Sequence, residues 1–174
     1  MSKALSVRPA TDEHAEYYAR YTSLVADGNI VETLENQLAS TLNFLKEISE
    51  EKANSRYAPD KWSIKEVLGH IIDGERIFAY RALRIARNDK TPLPGFEQDG
   101  YIEAGNFAAR SFADLLEEFK CVRQASLFLF RNLDEAAWLR RGTASDNEVS
   151  VRALAYIIAG HELHHLSVIK EKYL

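Results

Sequence analysis

The chain has 174 residues, 46% of them hydrophobic and 28% charged, with a formal net charge of −4 at pH 7. Such a chain makes one globular domain with a core of useful size. The acidic balance and the absence of a Lys/Arg stripe exclude a nucleic-acid surface, and no apolar run approaches the ~20 residues of a membrane span.

Residues 1–28, with Tyr17, Tyr18 and Tyr21, predict a short extra helix packed outside a single domain spanning 1–174. The first long periodic segment, about 30–49, places Val31, Leu34, Leu38, Leu42, Leu45 and Ile48 on one face, and Asn29 with Glu32 stands in the capping-box relation. Polar residues 50–60 end it. The second segment, 63 to about 88, opens on a Ser63/Glu66 capping box with a Trp62/Val67 staple, and Ile64, Val67, Leu68, Ile71, Ile72 and Phe78 supply its apolar face. A connection over 89–110, rich in Pro and Gly, is long enough to cross a whole bundle, so that helices two and three would run parallel. Ser111 with Asp114 starts the third segment in the same capped way, with Leu115, Phe119, Val122, Leu129 and Phe130 inside. Cys121, the single cysteine, excludes an intrachain disulfide, and its apolar surroundings predict a buried, inert thiol. The fourth segment spans about 150–173. Strand signals are almost absent. The fold class is therefore all-α, a four-helix bundle with a long crossover between helices 2 and 3. No secretory or lipidation signal is evident, so a cytoplasmic location is expected.

The fourth segment carries the chemistry. Val151, Leu154, Ile158, His161, His165, Val168 and Ile169 follow the rhythm of a buried stripe, so two histidines one turn apart occupy positions where leucines would be expected. A pair of imidazoles at this spacing grips one divalent metal; two hydrogen-bonded core histidines are the alternative. A catalytic site of this type keeps three protein ligands and one open position. His164 lies roughly 80° or more from the stripe, and His14 sits in a polar stretch. His70, between Gly69 and Gly74, is the candidate third ligand, although it falls roughly 130° from the centre of its helix's apolar face. A site opening sideways under the crossover reconciles these facts. Glu75 falls near the middle of that face, where it either orients a ligand histidine or pairs with Arg81 or Arg123. His161-Glu162-Leu163-His164-His165 also matches the zinc-protease signature, but nine residues follow His165 and none is a histidine. The Glu162/His165 pair of a di-iron bundle lacks its counterparts on the other helices.

Three stretches together carry a resemblance: Lys61-Trp62-Ser63-Ile64-Lys65-Glu66-Val67-Leu68-Gly69-His70, Pro94-Gly95-Phe96-Glu97-Gln98-Asp99, and Gly160-His161-Glu162-Leu163-His164-His165. In this order, over nearly the whole chain, they resemble the DinB-like (damage-inducible) superfamily. The resemblance implies a four-helix bundle with the crossover between helices two and three. It implies a divalent metal, zinc or nickel, held by His70, His161 and His165. It also implies a homodimer and a small-molecule substrate. Characterised relatives include thiol-dependent transferases and an isomerase that use low-molecular-weight thiols, so the activity the resemblance implies is transfer of such a thiol to a small electrophile. Metal-dependent hydrolysis, or a non-catalytic stress-associated metal-binding bundle, are the alternatives. Glu75 and Tyr101 are the candidate catalytic residues, and Gln98 and Trp62 are expected to line the pocket with Tyr101.

Overall fold

The computed structural model describes residues 3–174. In chain order its helices are α1 (Ala19–Thr22), α2 (Ile30–Leu45), α3 (Glu50–Ala53), α4 (Ile64–Ala86), α5 (Gln98–Gly105), α6 (Phe112–Arg131), α7 (Glu135–Leu139) and α8 (Val151–Val168). A final π-helical turn, Ile169–Tyr173, extends α8. The bundle consists of α2, α4, α6 and α8.

Local chemistry sets the helix starts. Asn29 accepts from the backbone N–H groups of Val31 and Glu32, and Ser63 and Glu66 form a complete capping box. Ser111 accepts from the Asp114 N–H, but the box is not reciprocal, because the Asp114 carboxylate pairs with Arg110. Ser150 caps α8 through the Ala153 N–H and donates its hydroxyl to Glu13.

Two apolar clusters reveal the helix directions. One contains Ile30, Leu34, Phe78, Ile85, Phe130 and Leu154; the other contains Leu45, Ile64, Leu68, Phe112, Phe119 and Ile169. Thus α2 and α8 run from the first cluster to the second, and α4 and α6 both run from the second to the first. The parallel α4/α6 pair requires a connection that travels the length of the bundle. Between the two clusters lies a polar waist containing Gln37, Thr41, Glu75, Arg123, His161 and Glu162, all of them buried.

Three segments depart from the sequence expectation. The crossover, for which the sequence predicts no helix, contains α5 and the 3-10 turn Phe107–Ala109. The Phe107 ring presses on Gly69, where a Cβ would meet it at 2.5 Å. A hairpin, β1 (Arg141–Ala144) with β2 (Asn147–Ser150), closes on Ser145 and Asp146, both at positive φ, and Leu93 of the crossover pairs with Ala144 beside it. Cys121 is exposed rather than buried. Two residues past the buried Phe119, it stands about 200° round α6, on the opposite face.

Candidate metal centre

At the waist the apolar run of α8 gives way to His161 and, one turn later, His165, while α4 presents His70 from the bundle's flank. Nε2 of His161 lies 2.9 Å from Nε2 of His70 and 3.1 Å from Nε2 of His165. One nitrogen from each ring falls within 4.8 Å of the other two. Metal–nitrogen bonds of about 2.0–2.1 Å place ligand nitrogens roughly 2.9–3.4 Å apart, so the spacing fits one ion. Hydrogen bonding alone fits less well. A neutral ring nitrogen carries either a proton or a lone pair, so His161 Nε2 makes a good hydrogen bond with only one of its two neighbours.

The rings are arranged to stay neutral, the state in which imidazole is a ligand. Burial, aided by His164, pushes His70 down to about 4. Burial, with His70 and His164, pushes His165 down to about 3. His161 is held well below the usual imidazole range by burial and then by the other rings. Close packing fixes their places. Gly74 lets the His161 ring approach so near that a Cβ there would stand 3.0 Å from its Cε1. The Trp62 ring covers His70 at 5.0 Å between centroids.

The neighbouring carboxylates turn away from this cluster. Glu75 chelates Arg123 through contacts of 2.9–3.1 Å, and Arg123 Nη2 reaches Glu162 at 2.7 Å. Thr41 donates to the other Glu162 oxygen, and Arg123 Nη1 donates to the Leu34 carbonyl. Of the alternatives open for Glu75, the structure therefore takes the arginine pair with Arg123. Arg81 instead clips the Pro94 carbonyl and the Ser145 hydroxyl to α4. The zinc-protease reading fails on the same ground, because Glu162, fully enclosed and engaged by Arg123 and Thr41, does not face a substrate.

Two hollows reach the histidines. A cleft of about 400 Å³ touches His70 and His161 and is walled by aromatic rings and the crossover residues Gly95–Gln98. A second hollow, about 340 Å³, touches His164 and His165 and is lined by Trp62, Lys61 and Asp99. Gln98 and Trp62 were expected to share one pocket, but Gln98 lines the first hollow and Trp62 the second. Tyr101 lines neither. The helical turn of α5 carries it against Phe96, at 5.5 Å between ring centroids, into a separate hollow beside Tyr80 and Arg81.

The N-terminal segment does more than pack on the bundle from outside, because its tyrosines wall the cleft. Tyr21 is buried, with its ring 5.3 Å from His161 and 5.4 Å from His164. Its carbonyl lies where a Cβ on residue 160 would stand, at 2.0 Å, so only glycine fits there. Burial, then the Tyr17 hydroxyl beside it, raise the Tyr21 pKa, and it remains a neutral phenol. The glycine preceding His161 and the three tyrosines were the available signals. His14, by contrast, is a structural residue held by the Ala15 carbonyl and the Thr22 hydroxyl.

Comparison with known proteins agrees with this architecture. The family model of the DinB superfamily matches residues 33–169, which include all three clustered histidines. A protein of Oceanobacillus iheyensis described as "Putative metal-dependent hydrolase" is 29% identical over 143 residues, covering 80% of this chain and 79% of that protein. The solved structure of YfiT from Bacillus subtilis, titled "a probable metal-dependent hydrolase with an unusual four-helix bundle topology", superposes with a TM-score of 0.71. At 14% identity, over 95% of this chain and 91% of that one, it shows a shared fold. No helix among the described residues is long and apolar enough to cross a membrane.

Proposed function

The chain belongs to the DinB superfamily, and from that premise we propose that it is a metal-dependent enzyme that transfers a low-molecular-weight thiol to a small electrophilic molecule. The observation that carries the proposal is the convergence of three neutral ring nitrogens, from His70, His161 and His165, with one hollow reaching His70 and His161 and another reaching His165. When held there, a divalent ion supplies Lewis acidity for polarising an electrophile and lowering the pKa of a thiol or water. A three-nitrogen donor set suits zinc or nickel. The chain's own residues then do the rest. Trp62 packs the His70 ring in place, Gly74 admits His161, and Gln98 offers an amide at the cleft wall. The Arg123–Glu75–Glu162 cluster ties α4 to α8, which keeps the histidines of the two helices in register. Two separate hollows suit a reaction of two molecules.

Hydrolysis at the same histidines is the second reading, favoured by the descriptions of both relatives. Elemental mass spectrometry on untagged protein tests the common premise. A stoichiometry near one zinc or nickel per chain is expected for a three-ligand site, falling sharply in His70→Ala and His161→Ala. Wild-type protein that takes up no metal would overturn both readings. Product analysis with an electrophile, in the presence and absence of cysteine or another small thiol, then separates them. A thioether adduct supports transfer, and a thiol-independent hydrolysis product supports the second reading.

A further inference from the structure

The larger cleft has a composition unlike the rest of the chain. Five of its eleven lining residues are aromatic, in a protein with 10% aromatic residues. Tyr17 and Tyr18 stand at 84°, Tyr18 and Phe78 at 86°, and Tyr18 and Tyr21 at 42°, so the rings offer both faces and edges. The volume of about 400 Å³ suits a ring with small substituents.

Charge narrows the class of ligand. Cations already occupy these rings. The Arg20 guanidinium lies 4.1 Å from the Tyr17 centroid, and that of Arg81 lies 5.8 Å from Phe78 and 6.0 Å from Phe96. A cationic guest would meet like charge, so this is not a cage for an ammonium group. Neither Arg20 nor Arg81 lines the cleft itself, and Arg81 is engaged by the Pro94 carbonyl and the Ser145 hydroxyl, so no cation is placed to pair with an anionic guest.

One polar group in the wall lacks a good partner. Tyr21 is 7% exposed, and its hydroxyl has a single contact, to the Tyr17 hydroxyl at 3.5 Å, the outer limit of a hydrogen bond. Its backbone is locked against Gly160, so the phenol is held in place rather than free to seek a partner elsewhere. A buried hydroxyl in this position gains from an incoming acceptor.

We propose that the cleft is the subsite for a flat, uncharged aromatic or conjugated molecule bearing a hydrogen-bond acceptor, and that the Tyr21 hydroxyl donates to that acceptor. The proposal rests on the metal-enzyme reading only for where such a molecule reacts; the binding itself does not need it.

The test is calorimetric or NMR titration of zinc-loaded and metal-free protein with three probes. Acetophenone has the ring and the carbonyl, cyclohexyl methyl ketone has the carbonyl on a saturated ring, and propylbenzene has the ring alone. Acetophenone is expected to bind best. Tyr21→Phe should weaken acetophenone about three- to tenfold, the effect of one hydrogen bond, and leave propylbenzene unchanged. Phe96→Ala should weaken both aromatic probes, whereas Phe128→Ala, on an exposed part of α6, should alter neither. Equal binding of the saturated ketone, no binding of acetophenone, or indifference to Tyr21→Phe in a folded variant would overturn the subsite. Selective probe binding by a protein that takes up no metal would leave the subsite standing and remove the metal-enzyme reading.

Discussion

His161 and Glu162 are adjacent in sequence, yet their side chains end in two polar clusters with opposite hydrogen-bond states. Around Arg123 the partners are complete, since its guanidinium serves Glu75, Glu162 and the Leu34 carbonyl, and Thr41 serves the remaining Glu162 oxygen. Around His161, nitrogens converge faster than hydrogen bonds can satisfy them. Both clusters lie in the waist between the two apolar cores, so burial does not distinguish them. Completeness does. A closed network holds helices together, whereas an incomplete one with the right spacing marks a place for a ligand.

The largest test of this contrast is Arg123→Ala. It strands two buried carboxylates, and a loss of about 3–5 kcal/mol in denaturant unfolding is expected; a loss below about 1 kcal/mol would mean the network is not closed as described. Next comes ligand linkage at the histidines. Zinc at a hundredfold excess over its dissociation constant should stabilise wild type by about 2.7 kcal/mol, and His70→Ala should abolish the gain. Zinc that stabilises both proteins equally would place the metal elsewhere.

Thr41→Val removes one donor to Glu162 while keeping shape. About 1.5–3 kcal/mol should be lost, with zinc uptake unaltered, and a fall in zinc stoichiometry would show that the two clusters are not separable. The last test reads the acid slope of metal-free protein. The folded pKa values of His70 and His165 lie below the unfolded value, at about 4 and about 3. The unfolded chain therefore binds more protons below about pH 6.5. Stability is full above that pH and falls as pH drops through the folded values, by up to about 1.4 kcal/mol per pH unit for each ring. Thermal unfolding between pH 7 and 5 should show a shallower fall in His70→Gln, and identical slopes would mean the ring is already charged in the fold.

The bundle and its histidines were legible because both are written in local periodicity. Capping residues and a 3.6-residue rhythm set α2, α4, α6 and α8 within a few residues, and a four-residue spacing on a buried stripe set His161 and His165. His70 needed an argument from glycine neighbours, and the same wheel that put it at the flank agrees with its place under Gly95–Gln98. Cys121 failed inside a periodic helix, where apolar neighbours hid that it faces outward; the other failures depended on tertiary packing or on unpatterned segments. Glu75 had two candidate arginines, and only the packing of α4 against α6 decides for Arg123. Tyr101 was misplaced because the crossover was read without its helix. The hairpin closing on Ser145 and Asp146 is too short for alternation to show. The N-terminal wall has no periodicity, although Gly160 is explained only by the Tyr21 backbone against it.

The parallel course of α4 and α6 also bears on how the chain reaches this state. In a bundle of simple hairpins each helix meets its sequence neighbour first, across a short turn. Here the α4/α6 pair forms only after the crossover has closed a long loop, and His70 meets His161 across 91 residues. Non-local closure of this kind slows folding relative to local pairing. The histidine cluster rests on this non-local pairing, so neither α4, which carries His70, nor α8, which carries His161 and His165, brings the three rings together by itself.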